Sequence, residues 1–315
     1  MQLSTSEKRQ AFSWWLRTGR LPTVRSAAGL ELKFNPYHDP KDGRFTFGPG
    51  GAGSVAAYGE GQGPRMGRGG NSRAFEDPMT VEQAFPEIND PALKTFAAIT
   101  GPLLDIVGPA AEAQIQVLDR HSKEVLSDIK RLDPNFVYQY MNSGHPSVEG
   151  SANRLDDLLM WQAATHARFL ADYAPLRAQM IRRVQREVDK AYKEGLERLN
   201  KGTLKNRGVN NGMKLGNFID VHVRENIRET LNQYGIKMSS NGMVRVNRRE
   251  YVTSKGSYGL PDIRIADTYI EVSITRKTMA DEQLRRFSET SPKPRYIVVV
   301  TPSGTHPNHT YVIKQ

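Results

Sequence analysis

The chain has 315 residues, a formal net charge of +10 and no cysteine. A length of this order predicts one to three domains. The lack of cysteine excludes disulfide frameworks and zinc sites that use thiolates. The first residues are polar and charged, and no stretch has the uninterrupted apolar length of a membrane helix. We therefore expect neither a signal peptide nor a transmembrane segment.

The positive charge is concentrated in the C-terminal third. From Lys201 onward there are 19 Lys and Arg against 10 Asp and Glu, a net charge of +9, whereas the 25 and 24 such residues before it nearly cancel. A basic module beside a neutral one predicts nucleic acid as the partner of the basic module. A generic basic domain and a contact with an anionic membrane are the alternatives.

The N-terminal part combines a short predicted helix, over 4–17, with turn and linker signals. Pro, Asn, Asp and Gly between 34 and 46 indicate turns, and we assign His38 and Asp39 to a turn rather than to a metal site. Residues 48–73 are rich in glycine and poor in apolar side chains. Such a segment buries too little surface to offset its chain entropy, which predicts a flexible linker.

Helical periodicity dominates residues 90–200. Apolar residues recur at helical spacing along two predicted helices, and a third has an apolar stripe every four residues from Met180 to Leu196. Pro134 and Pro175 are expected to end or break helices. Because no group of side chains here suggests chemistry, we predict an all-α spacer or bundle.

The basic module follows a segment rich in Gly, Asn and Lys, which predicts a hinge over 201–212. Hydrophobic periodicity then predicts helix, three strands, helix and two strands. These elements are a helix over 214–234, strands over 243–253, 263–265 and 269–275, a helix over 279–289, and strands over 295–301 and 311–314.

The second and third strands form the centre of this module because a tight turn at 266–268 joins them as a hairpin. Side chains repeat every two residues along a strand, so Glu271 and Ser273 share a face. Asp262 begins the preceding strand, and the hairpin should bring it beside Glu271. Two converging carboxylates offer oxygen ligands for a magnesium-like ion, which can activate water and stabilise a phosphate in transfer. A solvated surface is the alternative.

These residues carry a resemblance to a known family. The letters P-D at 261–262 and E-V-S at 271–273 resemble the P-D-X(n)-(D/E)-X-K pattern of the PD-(D/E)XK nuclease superfamily. Gln283 is similar to the start of the Q-x-x-x-Y element of some members, with Phe287 in place of the tyrosine. The predicted element order also matches the αβββαβ core of restriction-endonuclease-like folds. The resemblance implies a metal-dependent endonuclease.

The same resemblance implies roles for individual residues. Asp262, Glu271 and an acidic residue of the first helix, Glu225, would hold Mg²⁺ or Mn²⁺. The lysine position of the motif is occupied by Ser273, so either Lys277 or Lys293 would supply the cation. Ser273 would hydrogen-bond the ligand shell or the phosphate, and Gln283 would orient a site residue. The residues expected to bind the nucleic-acid backbone are Arg248, Arg249, Arg276, Arg285 and Arg286.

The modular order resembles polymorphic bacterial toxins, above all the C-terminal tRNA-nuclease domains of contact-dependent inhibition proteins. This likeness implies cleavage of tRNA or another RNA, with DNA left open, in the cytoplasm of a target bacterium. It also implies a cognate immunity protein and a secretion machinery.

The segment from Asn35 to Phe45 resembles an N-P-x-H-D-P-x-x-G-R-F motif of phage head proteins and prophage toxins. It implies a contact with a phage head, or packaging in one. The alternative function is therefore a head-associated structural protein that binds nucleic acid through an inactive nuclease-like domain, as the serine at 273 would allow.

We therefore predict a multi-domain chain. A short helix and turn-rich motif occupy 1–47, a flexible linker 48–89, an all-α region 90–200, a hinge 201–212, and an α/β restriction-endonuclease-like domain 213–315.

Overall fold

The computed structural model describes residues 78–99, 108–139, 147–205, 208–239, 241–252, 258–306 and 308–315. The predicted N-terminal helix, the turn-rich motif and the glycine-rich segment 48–73 lie outside these ranges. The described residues belong to one compact unit, Glu76–Gln315. Within them, no helix combines the length and hydropathy that a bilayer crossing requires.

Residues 91–200 are largely helical, as predicted. The linker predicted over 48–89 is wrong at its C-terminal end, because residues 81–89 form a capped helix and a 3-10 helix whose Phe85 is fully buried in the core. Ser147 caps the second long helix by accepting a hydrogen bond from the Gly150 amide at 3.0 Å, so this helix begins at Val148. Pro175 lies in the first turn of the next helix, where a proline has no amide to leave unpaired. The helices are α1 (Val81–Ala84), a 3-10 helix (Pro86–Asn89), α2 (Pro91–Ile99), α3 (Pro109–Leu132), α4 (Val148–Phe169), α5 (Ala174–Asn200) and α6 (Asn211–Gln233).

The helices use two cores. Helices α2, α3 and α4 pack around one apolar cluster that includes Leu118 and Leu155. The predicted stripe of α5 is buried instead in a second cluster, which it shares with the stripe of α6 and with the C-terminal sheet. The segment predicted as a hinge therefore connects two helices of one core, so the structure differs from a helical domain hinged to a nuclease domain. The reason is that α5 buries its apolar face against α6 and the sheet.

The second half forms a mixed sheet with helices. Its elements are β1 (Val244–Val246), β2 (Glu250–Tyr251), β3 (Tyr258–Gly259), β4 (Ile263–Ile265), β5 (Thr268–Val272), α7 (Glu282–Ser288), β6 (Tyr296–Val300) and β7 (Thr310–Lys314). A five-stranded sheet has the order β1-β4-β5-β6-β7, in which β5 and β6 are parallel and the other neighbours antiparallel. Strands β2 and β3 form a separate hairpin.

Two strand predictions need correction. The strand predicted over 243–253 is divided, because Asn247 has a left-handed backbone (φ 51°) and sends the chain out of the sheet. Asparagine tolerates this conformation better than most residues. The strand predicted to run to 275 ends at Val272, since its neighbour β6 ends at Val300, the partner of Val272.

Successive side chains of the sheet point to opposite faces, and each face packs against helices. Ile270, Val298 and Val312 face the core shared with α5 and α6. Tyr269 and Tyr311 face the opposite side, where they pack against α7 in a third cluster. The apolar run in β6 is buried on both faces, as predicted.

Candidate carboxylate site

Asp262 and Glu271 meet at one end of the β4–β5 hairpin. Ile263 pairs with Ile270, so the next position outward places Asp262 opposite Glu271. Asp262 is 9% exposed and Glu271 is 3% exposed. The Val272 amide donates a hydrogen bond to Asp262 Oδ2 at 2.8 Å. The hairpin therefore buries both carboxylates side by side, as the alternation of the sequence indicates.

Helix α6 adds a third carboxylate, Asp220, which sequence reasoning missed. Asp220, Asp262 and Glu271 line the same cleft, which has a volume of about 520 Å³. Arg224 donates to Asp220 Oδ2 from the next turn of the helix. Asp220 Oδ1 and Glu271 Oε2 are both buried and have no hydrogen-bond partner among the described residues. Two carboxylate oxygens in one cleft are thus left without a donor.

Glu225 lies elsewhere on α6. It is exposed and is not among the residues that line the cleft. Five residues correspond to about 140° around a helix, so Asp220 and Glu225 project in different directions. The sequence does contain a signal for Asp220. Gly212, Gly216, Asp220 and Arg224 recur every four residues and all line the cleft.

Negative charge is in excess at this site. Burial, and then the charges of Glu271 and Asp220, raise the pKa of Asp262 well above its ordinary value. Burial also raises the pKa of Glu271, although the Lys277 ammonium opposes the shift. A buried carboxylate is costly when ionised unless a cation or a proton compensates it. The cleft therefore favours the binding of a cation or of a proton.

Lys277 contacts this site by a route that differs from the predicted one. Its Nζ donates to Glu271 Oε1 at 2.7 Å and to Gln283 Oε1, on α7, at 2.6 Å. The strand does not continue to Lys277, so the strand register does not position the side chain. Instead the Tyr311 hydroxyl accepts from the Lys277 amide at 2.6 Å and donates to the Lys277 carbonyl at 2.6 Å. Tyr311, on β7, therefore fixes the backbone of the loop that positions Lys277.

Ser273 lines the cleft immediately after β5. Its amide donates to the Val300 carbonyl at 2.9 Å, and its Oγ accepts from the Thr275 amide at 3.2 Å. The side chain therefore stabilises its own loop at the edge of the cleft. Gln283 also lines the cleft.

Lys293 lies at the other end of the sheet. Glu271 pairs with Val299, and Lys293 precedes Val299 by six residues. Strand β6 begins at Tyr296, three residues or about 10 Å from Val299, and Lys293 lies in the loop before that end. Lys293 is exposed and lines a different cavity, beside Asp267. Of the two candidate lysines, the structure places Lys277 at the carboxylates.

The predicted backbone-binding arginines are all exposed and lie outside the lining of the cleft. Arg249 stacks over the Tyr258 ring at 4.4 Å, and Arg276 lies over the Tyr311 ring at 5.4 Å. Arg286 pairs with Glu282 on α7. Exposed arginines are available to bind phosphates, and the members of this set are Arg248, Arg249, Arg276, Arg285 and Arg286.

The cleft offers oxygen ligands of the type that divalent cations use. Among the described residues, no group of three or more His, Cys, Asp and Glu side chains is placed to hold a metal ion. Mg²⁺ does not require such a group, because it is commonly bound by one or two carboxylates and keeps several waters. The unpartnered oxygens of Asp220 and Glu271, beside Asp262, are hard ligands of this kind.

Comparison of the chain with protein-family models, curated proteins and solved structures finds no match. The interpretation of the site therefore depends on its own geometry.

Proposed function

We propose that this chain is a metal-dependent nuclease that hydrolyses phosphodiester bonds at the carboxylate cleft. One observation carries the proposal: Asp220 and Glu271, which line one cleft, each have a buried carboxylate oxygen without a hydrogen-bond donor, and Lys277 contacts Glu271 beside it. Three acidic side chains meet the cations Arg224 and Lys277 at this site, so negative charge is in excess, and a bound divalent cation would balance it.

The arrangement of the elements supports the same proposal. Helix α6 and strands β1, β4 and β5 are followed by α7 and by β6, which lies parallel to β5. Apart from the β2–β3 insertion, this is the order expected for a restriction-endonuclease-like core. We propose that the C-terminal part of the chain has this fold and that the β4–β5 hairpin presents its metal ligands.

In this proposal Asp220, Asp262 and Glu271 hold Mg²⁺ or Mn²⁺, which when bound would lower the pKa of a water and polarise the phosphate. The Val272 amide fixes the orientation of Asp262. Lys277 neutralises charge that develops on the phosphate, because preorganised cations stabilise transition states more than ground states. Gln283 keeps the ammonium of Lys277 in place.

The net charge of +9 after Lys201 favours nucleic acid as the substrate. Following the resemblance to toxin domains, we propose tRNA or another RNA, with DNA as the alternative. The same reasoning proposes delivery to the cytoplasm of a target bacterium and a cognate immunity protein. A structural phage protein with an inactive domain is the competing function. It rests on Ser273, and the contact of Lys277 with Glu271 weakens that argument.

The test is a cleavage assay with the full chain, total tRNA and plasmid DNA, in Mg²⁺, Mn²⁺ or EDTA. We expect cleavage with either metal and none with EDTA. Asp262→Asn and Glu271→Gln should each abolish it while the far-UV circular dichroism spectrum stays unchanged. Glu225→Gln, an exposed acid on α6, is the matched control and should retain activity. Metal-independent binding without cleavage would favour the structural alternative, and full activity in Asp262→Asn would refute the site.

A further inference from the structure

The β2–β3 hairpin has one buried face and one exposed face. Glu250 pairs with Gly259, and Tyr251 pairs with Tyr258. Glu250 is 1% exposed, whereas Tyr251 is 64% exposed and Tyr258 is 38% exposed. The hairpin therefore presents two opposed tyrosines to solvent.

The buried face holds the hairpin firmly. Glu250 Oε2 accepts from Arg245 at 2.8 Å and from Arg264 at 3.0 Å, and both arginines extend from the main sheet. Gly259 lies so close to α7 that an added Cβ would approach Phe287 to 2.8 Å. Because these contacts fix the hairpin without help from the tyrosines, core packing does not explain the aromatic residues on the other face.

The exposed face continues to the cleft. Extended past the strand ends to two residues from the Tyr251–Tyr258 pair, the same register would set Arg249 opposite Leu260. The Arg249 guanidinium stacks over Tyr258, and Leu260 lines the carboxylate cleft. We call the surface formed by Arg249, Tyr251, Tyr258 and Leu260 the tyrosine face.

We propose that the tyrosine face binds unpaired nucleotides, so that the cleft takes single-stranded or looped nucleic acid in preference to a duplex. This inference rests on the proposed function and adds the class of substrate to it. Exposed aromatic rings stack with bases, and an arginine beside them adds charge for the backbone. In a duplex the bases are already stacked on each other, so a flat aromatic surface next to the cleft gains little from them.

The experiment measures binding apart from cleavage. The full chain is titrated in EDTA against a fluorescent single strand of about 12 nucleotides, a length within the range that such surfaces bind. RNA and DNA versions are used, each also annealed to its complement. Tyr251→Ala and Tyr258→Ala should each weaken single-strand binding about five- to fiftyfold, as expected for the loss of one stacked base. Tyr258→Phe keeps the ring and should bind within about twofold of wild type. Phe169→Ala removes an exposed aromatic side chain of α4 and is the control.

Unchanged single-strand affinity in both alanine variants would overturn the tyrosine face, as would duplex binding as tight as single-strand binding by wild type. Failure of wild type to bind any single strand would also overturn it. Cleavage in Mg²⁺ tests the proposed function separately. A chain that cleaves but binds independently of the tyrosines would remain a nuclease without this surface. Tyrosine-dependent binding without cleavage in either metal would keep the surface and refute the nuclease.

Discussion

Asp128 in the helical region and Asp262 in the cleft are both at least partly buried, but their surroundings shift their pKa values in opposite directions. Burial raises the pKa of Asp128, but hydrogen bonds from Gln162 and His166 and the pair with Arg131 outweigh it, and the pKa is lowered. Around Asp262, burial and two neighbouring carboxylates act in the same direction, and the pKa is raised. The helical region compensates its negative charge, whereas the cleft accumulates it.

The same contrast extends to other pairs in the helical region. Asp156 accepts from Arg183 at 3.0 Å and from Arg186 at 2.9 Å, and Glu87 accepts from Arg177 at 2.9 Å. Each of these carboxylates has a cation beside it.

In the cleft, Asp220 and Glu271 are also paired, with Arg224 and Lys277, but Asp262 has two carboxylate neighbours and no ion pair among the described residues. Such an excess of negative charge is typical of a functional site. The predictions below test this difference, from the largest expected effect to the smallest.

Removal of the Lys277 ammonium group should have the largest effect on cleavage. Lys277→Met should lower kcat about 100-fold or more with a much smaller change in KM, because a preorganised charge acts mainly on the transition state. Lys293→Met is the control, and its steady-state cleavage rate should match wild type. A larger loss in the Lys293 variant would transfer the catalytic role to that residue and contradict the arrangement of the cleft.

Asp220 and Glu225 separate a cleft carboxylate from an exposed one on the same helix. Asp220→Asn should raise the Mg²⁺ concentration that gives half-maximal cleavage about 10- to 100-fold, as expected when a metal site loses a contributing group. Glu225→Gln should leave that concentration unchanged. Equal metal dependence of the two variants would remove Asp220 from the metal site.

Tyr311 is expected to act as a positioning residue through Lys277. Tyr311→Phe should lower kcat about tenfold, because small displacements of a catalytic group are costly. Tyr269→Phe is the matched control: it also removes a hydroxyl in the same core, one that lies 3.0 Å from Thr290 Oγ1, but it does not touch the loop.

A double variant tests whether Tyr311 affects kcat through Lys277. Added to Lys277→Met, the Tyr311 substitution should cause no further loss of kcat. An additive loss would show that Tyr311 acts on stability rather than through the lysine, and thermal melts of each variant would report that loss directly.

The smallest expected effect is on the free energy of unfolding. Its pH dependence should have opposite signs for Asp262 and Asp128. Because its pKa is raised on folding, Asp262 binds an extra proton in the folded state, so the free energy of unfolding falls as pH rises above the ordinary value of 3.8. In EDTA at pH 8, Asp262→Asn should therefore melt about 2–4 °C above wild type.

Asp128 should behave in the opposite way. Its lowered pKa adds stability above the ordinary value of 3.8, and that stability is lost as pH falls through the lowered pKa. Asp128→Asn should melt below wild type at pH 8 and cleave normally. Melting curves at pH 8 and near pH 3 check both signs, and destabilisation by both substitutions would contradict the comparison.

The sequence alone determined the elements whose causes are local. The apolar stripe of α6, from Ile219 to Leu231, is buried, and Gly235 ends the helix with a left-handed backbone (φ 66°), both as predicted. Alternation placed Asp262 beside Glu271, because a tight turn at Ala266 leaves one register for the hairpin. Helix period, strand period and turn geometry each depend on near neighbours, so they can be read from the chain.

Only the tertiary structure decided which distant residues complete the site. Periodicity shows that α6 has a buried stripe but not which flank of it meets the cleft, so Asp220 rather than Glu225 emerged from the packing. The contact of Lys277 with Glu271 depends on Tyr311, 34 residues further along the chain. Likewise, α5 shares a core with the sheet because its apolar stripe packs against α6 and β6. Such choices depend on how separate surfaces fit together. The four-residue recurrence around Asp220 marks one face of α6, but it does not show what that face meets.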